Sequence, residues 1–163
     1  MIRLYTVAPS RLNLNGDQAN LLVLRARAEW FNAAVEVVAL NTSGDFASAQ
    51  KDVLENPAGA FLLVGHGSAA AMKSLTGLTS VISELVSAFI SVNAPVLAVG
   101  SGYELLKPGA ARTQRRSDFF VAEAENLRVL GYRNTDADLP ELLLEGRTIF
   151  TLLHGPVLAK NPV

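Results

Sequence analysis

The sequence predicts an α/β protein with a mainly parallel central sheet and a few short antiparallel strands in its C-terminal third. Three observations carry this. Short apolar runs alternate with helical patterns through the first hundred of 163 residues, and strand–helix–strand repeats close as right-handed crossovers between parallel strands. Half of the residues are apolar and only 18% are charged, which suits a sheet buried on both faces. Beyond residue 107 the helical patterns stop, and short strand-like runs separated by turn residues take over.

The elements follow in order. IRLYTV, residues 2–7, reads as the first strand. Residues 17–31 read as a helix with Leu21, Leu24, Ala28 and Phe31 along one face. VEVVAL, 35–40, is the next strand, and NTSGD supplies turn and cap residues for a helix over roughly 45–55. AFLLV, 60–64, is a short buried strand followed by GHGS. A long helical region comes next, clearest at Val81, Ile82, Leu85, Val86, Phe89 and Ile90, and PVLAV, 95–99, is the fourth strand. KPGAARTQRRSD, 107–118, has four basic residues and no large apolar one, so it reads as an exposed, solvated loop. FFVA, NLRVL, ELLL and RTIFTLL read as short strands, with RNTDAD and EG as turns between them. HGPVLAKNPV, the last ten residues, reads as an extended tail.

Composition narrows the function. The formal net charge is -1, so there is no bulk electrostatic attraction to nucleic acid or an anionic membrane. No apolar run reaches the roughly 18–20 residues that span a bilayer. The first residues enter a strand pattern without a signal peptide's layout, so the expected location is cytoplasmic. With no cysteine, disulfides, thiolate metal sites and cysteine nucleophiles are absent. With only His66 and His154, no protein-built zinc site is expected. No cofactor is implied.

In an open parallel sheet, ligands bind at the carboxyl ends of the strands. Three features fall there: GHGS after the third strand, GSGY after the fourth and HGP after the last. Glycines at strand ends can aim backbone N–H groups into a cleft, as an oxyanion hole requires, and a neighbouring histidine can serve as a base. The same glycines are also ordinary turn residues, and His66 between two of them also reads as a plain exposed loop residue. Asp17, after Gly16, reads as a helix N-cap. Ser101 and His154 together outline a serine hydrolase. The elbow G-x-S-x-G would need glycines two residues either side of Ser101, where this chain has Val99 and Tyr103.

Three stretches together resemble one family. LNLNGDQANLLVLRARAEWFNAAVEV (12–37) is similar to the segment N-L-x-G-D-x-x-N…L…R…W…V of the CobB/CobQ-like class I glutamine amidotransferases. The likeness is closest to the GatD-type subunit of lipid II isoglutaminyl synthase. PVLAVGSGYELL (95–106) resembles that family's elbow P-V-L-x-x-C-G-G-Y-Q-L-L, and TLLHGPVLAKNP (151–162) resembles its ending T-Y-L-H-G-P-L-L-P-K-N-P. The likeness covers roughly residues 1–106 and 127–163, with a shortened middle.

The resemblance implies one class I glutamine amidotransferase-like domain over residues 1–163, with a flavodoxin-like three-layer sandwich fold. Active members hydrolyse glutamine with a cysteine nucleophile and a histidine base, and pass ammonia to a synthetase; in the GatD branch that partner is Mur-ligase-like. On this chain His154 falls on the catalytic histidine. Gly65 and Gly67 fall on the glycine loop of the oxyanion hole, with His66 and Ser68 as departures. Gly102 and Tyr103 match the end of the elbow, and Glu104 replaces the usual glutamine. The nucleophile position is Gly100, followed by Ser101 in place of a glycine.

Glycine has no side chain with which to attack an amide, so no catalytic residue is expected. Gly100, Ser101 and Gly102 form a relic elbow, His154 a relic base, and Gly65, His66 and Gly67 a relic oxyanion loop. Ser101 sits one residue past the apex, and catalysis tolerates misplacement of only about 1 Å. The expected protein is an inactive amidotransferase-like domain that binds, scaffolds or regulates. Its candidate partners are a Mur-ligase-like protein and a small molecule in an open, shallow cleft. The alternatives are a serine hydrolase using Ser101 and His154, and a structural homo-oligomer built through the apolar helices.

Overall fold

A computed structural model describes residues 1–155 and 157–161. The first half alternates strand and helix: β1 (Ile2–Val7), α1 (Ala19–Trp30), β2 (Val35–Leu40), α2 (Ser43–Glu55), β3 (Ala60–Val64), α3 (Ala69–Ser74), α4 (Thr79–Ser91), β4 (Val96–Val99) and α5 (Ser101–Leu106). The second half is β5 (Arg112–Ala124), β6 (Leu127–Ala137), β7 (Leu142–Glu145), β8 (Thr148–Thr151), β9 (Leu153–His154) and the short helix α6 (Val157–Lys160).

Six strands form the central sheet in the order β2-β1-β3-β4-β8-β7. The pairs from β2 to β8 are parallel, and β7 closes the edge antiparallel to β8. This is an α/β fold with a mainly parallel central sheet, consistent with the flavodoxin-like expectation. The strand order reverses between β1 and β3, so loops leaving their carboxyl ends diverge and open a crevice there.

Alternation along the strands sorts their side chains. Tyr5, Val7, Leu62 and Val64 pack with Phe46, Ala49 and Val53 of α2 and Ile82, Leu85 and Phe89 of α4. Leu4, Leu63, Leu97 and Val99 face the other way, onto Leu21 of α1. Both faces are covered, which is why these strands read as continuous apolar runs. The start of α2 is set locally: the Thr42 hydroxyl accepts the Asp45 N–H, and the Asp45 carboxylate accepts the N–H groups of Asn41 and Thr42.

Several expectations change in the second half. Residues 107–118 are a loop only as far as residue 111: from Arg112 onward they are the first half of β5, which pairs antiparallel with β6. FFVA and RNTDAD are not a short strand and a turn, but lie within this one long ribbon, which runs on to Ala137. β5, β6 and β9 form a second, three-stranded sheet. The ribbon buries Ala122 and Val129 on Leu142, Leu153 and Val157. Its regularity comes from backbone pairing rather than from a buried apolar face on every turn of the pattern.

The tail is not extended: residues 157–160 form α6 beside α1. Pro156, Pro162 and Val163 lie outside the described residues. The helical region after β3 is broken by a 3₁₀ turn at Thr76–Leu78. No helix among the described residues is long and apolar enough to cross a membrane.

Candidate functional site

The GHGS and GSGY stretches and the His154–Gly155 pair meet near the carboxyl ends of β3, β4 and β8. Their approach depends on missing side chains. A Cβ on Gly65 would overlap the Leu12 carbonyl, and one on Gly67 would lie 2.7 Å from the Leu12 side chain and 2.9 Å from the Arg11 carbonyl. A Cβ on Gly102 would lie 2.5 Å from the Val64 carbonyl oxygen. These three glycines let the loop after β1, the loop after β3 and the start of α5 press together.

Gly100 forms the corner between β4 and α5, with φ 55° and ψ -118°. A side chain is strained in that region. A Cβ there would point between the two imidazoles, 2.5 Å from His66 Nδ1 and 2.7 Å from His154 Cε1. The rings lie 4.4 Å apart, centroid to centroid, and tilt by 57°. His66 is therefore not a plain exposed loop residue: it is half-buried and fills the space that a side chain at position 100 would enter.

The backbone donors around this corner are occupied. Ser101 N–H donates to His66 Nδ1 at 3.0 Å. Gly67 N–H donates to Ser101 Oγ at 2.8 Å, and the Ser101 hydroxyl returns a bond to the Gly67 carbonyl at 3.2 Å. Gly100 N–H donates to the Thr151 carbonyl at 2.8 Å, continuing the β4–β8 ladder. His66 and Ser101, the two polar departures from the glycine pattern, are thus the groups that take up the amides an oxyanion hole would offer.

His154 is 4% exposed. Its Nε2–H donates to the Asn134 carbonyl of β6 at 3.3 Å, and its Nδ1 has no partner among the described residues. Burial pushes its pKa down, against smaller upward pulls from the Asn134 carbonyl and the Glu104 charge. His66 is lowered to about 4 by burial and by the neighbouring His154. Both imidazoles are neutral at pH 7. Among the described residues no carboxylate bonds either ring. Glu104 instead pairs with Arg112 at 2.7 Å, and Arg112 also reaches Asp136 at 2.8 Å.

The 12–20 motif clamps this centre. Asp17 does not cap α1; Gln18 occupies the cap position and offers no side-chain cap. The Asp17 carboxylate is fully buried and accepts His66 N–H at 2.7 Å, while Leu14 N–H donates to the His66 carbonyl at 3.0 Å. Burial raises the Asp17 pKa to about 6, and the His66 N–H only partly offsets it. Its second oxygen has no partner among the described residues. Asn20, also fully buried, donates to the Asp17 carbonyl and accepts Leu158 N–H, tying α6 to the same loop.

A cleft of about 600 Å³ opens over the site. His66, Ser68, Ser101 and Glu104 form one wall; Arg112 and Arg115 of β5 and residues 134–136 of β6 form the other. The middle segment therefore walls the cleft. Sequence patterning missed this wall and the Asn134 carbonyl, a backbone group that no residue type signals. Among the described residues no cluster of three or more ligating side chains could hold a metal ion.

No family model matches the chain, and no curated protein matches it. Among solved structures, TesA matches at 19% identity over 60% of this chain and 59% of its own, with a TM-score of 0.36, too low to carry an argument. A glutamine amidotransferase from Thermotoga maritima matches over 94% of this chain and 75% of its own, with a TM-score of 0.53 and 14% identity. At that identity the likeness is one of fold, and the fold of this chain is glutamine amidotransferase-like.

Proposed function

We propose that this chain is a catalytically inactive glutamine amidotransferase-like domain, of the CobB/CobQ and GatD type, that works by binding. One observation carries the reading: His66 Nδ1 and Ser101 Oγ occupy the Ser101 and Gly67 amides at the corner where a nucleophile would stand. An oxyanion hole must hold its donors free for the charge that develops in the transition state. Here both donors are already bonded, and Gly100 supplies no attacking atom.

The cleft remains, with polar walls that include His66, Ser101, Glu104 and Arg112. Its role is recognition of a small polar molecule, or presentation of that surface to a Mur-ligase-like protein in amidation of cell-wall precursors. The Ser101 hydroxyl bonds Gly67 rather than an imidazole, so serine hydrolysis lacks its base.

The test is ammonia release from glutamine by the purified chain, alone and mixed with a candidate Mur-ligase-like protein. The expected rate is that of the buffer in both cases. Release above that rate, abolished in His154→Ala, would overturn the reading.

A further inference from the structure

Two hydrogen bonds grip the backbone of His66 from the loop after β1. Leu14 N–H donates to its carbonyl at 3.0 Å, and the Asp17 carboxylate accepts its N–H at 2.7 Å. Only Asn15 and Gly16 separate the two gripping residues, and they are the one Asn–Gly pair in the chain. Both are exposed, whereas Asp17 beside them is fully buried.

An asparagine carries an electrophile, its side-chain amide carbon, within reach of the next residue's backbone nitrogen. A side chain on that next residue crowds the approach, and glycine has none. A Cβ on Gly16 would meet no atom within 4 Å, so the space beside this nitrogen is open. Asn13 Oδ1 is tied to the Gln18 N–H, but the Asn15 side chain has no such partner among the described residues and is free to turn. The Gly16 N–H is held by the Asn13 carbonyl at 3.2 Å on the surface, a bond that local opening breaks readily. Other exposed asparagines differ. Asn32, Asn41 and Asn93 precede Ala33, Thr42 and Ala94, and Asn56 precedes Pro57, which has no N–H.

We propose that Asn15–Gly16 is a self-modification site, where deamidation to isoaspartate at position 15 loosens the grip on His66. The Gly16 nitrogen bonds to Asn15 Cγ and gives up its proton. A succinimide ring closes, the Cγ–Nδ2 bond breaks, and the side-chain nitrogen leaves as ammonia with that proton. Water then opens the ring at either carbonyl. Opening at Cγ gives aspartate; opening at the main-chain carbonyl gives isoaspartate, in which the chain runs through Cβ and Cγ. The net change is water in and ammonia out. Isoaspartate adds one methylene to the backbone between Leu14 and Asp17. Two bonds matched to the shorter spacing then cannot both keep their geometry. The His66 ring, whose Nδ1 accepts the Ser101 N–H, is placed by that grip, so the change reaches the cleft.

The test ages the full chain in mildly alkaline buffer beside Asn15→Gln, whose longer side chain disfavours ring closure. Gly16 stands at φ 77°, where a side chain is strained, so the blocking variant is placed at Asn15 instead. Circular dichroism melts establish that the fresh variant folds. The peptide holding Asn15 should gain the mass of water less ammonia, ahead of those holding Asn32, Asn41 and Asn93, and a protein-isoaspartate methyltransferase should label it. Amide exchange at His66 should be about tenfold faster in the isoaspartate fraction than in fresh protein, the loss of one hydrogen bond, and unchanged in aged Asn15→Gln. Neither readout uses glutamine, so the outcome is independent of whether the cleft is inactive. An Asn15 that persists as long as Asn32, Asn41 and Asn93 overturns the proposal, and so does isoaspartate at position 15 with His66 exchange unchanged.

Discussion

Asp17 and His66 are joined by a hydrogen bond and titrate with opposite effects on stability, which makes Asp17→Asn a sharp probe. The Asp17 pKa rises from 3.8 to about 6 on folding, chiefly through burial. A raised folded-state pKa means the folded protein holds its proton longer. The associated stability is therefore full below about pH 4 and is lost as pH rises through 6. A shift of about 2 units corresponds to about 3 kcal/mol. The His66 pKa falls from 6.5 to about 4, so its contribution is full above 6.5 and is lost as pH falls toward 4. Solvent at the cleft mouth screens His66, leaving about 1–2 kcal/mol. The two slopes oppose each other across the same window.

Asparagine keeps the shape of Asp17 and can still accept His66 N–H, but does not titrate. Urea unfolding of both proteins at intervals from pH 4 to pH 7.5 gives the stability difference, variant minus wild type. That difference should rise by about 3 kcal/mol with increasing pH as the wild type ionises its buried carboxylate. The variant alone should show the uncovered His66 slope, gaining stability as pH rises. A flat or falling difference would refute the reasoning, because it would mean that Asp17 ionises in the fold as easily as in the unfolded chain.

Other consequences follow from the same contacts. Gly100→Ala places a methyl group at positive φ between the two imidazoles and should destabilise by about 1–3 kcal/mol in thermal or urea melts. Asn20→Ala removes the bonds to the Asp17 carbonyl and Leu158 N–H; it should cost about 1–3 kcal/mol and speed hydrogen exchange at Leu158. A serine-reactive fluorophosphonate should not label the protein, and labelling that disappears in Ser101→Ala would instead give Ser101 an activating base. Arg112→Ala leaves Glu104 unpaired beside His154; because the Glu104 charge raises the His154 pKa, a chemical-shift titration should show that pKa moving up.

The legible parts of the sequence were those whose burial is one-sided or complete. AFLLV and PVLAV are buried on both faces and read plainly as strands. The Ile82, Leu85 and Phe89 stripe read as a half-buried helix. Residues 112–118 did not read as a strand, because their side chains lie largely in water and carry no alternation. Their strand state comes from residues 127–137, more than ten positions away. Asp17 looked like a cap because caps and buried acceptors use the same residue types. Its partner, His66 N–H, lies 49 residues along the chain.

The sequence by itself determined the four strand–helix repeats, the absence of any thiol and the glycines at positions 65, 67, 100 and 102, since periodicity and composition are local properties. Only the tertiary structure decided that His66 and Ser101 bond the amides around Gly100, that Asn134 holds His154, and that the middle segment walls the cleft. Those outcomes depend on which distant backbone groups come within hydrogen-bonding reach, and that distance is set by packing across the whole sheet.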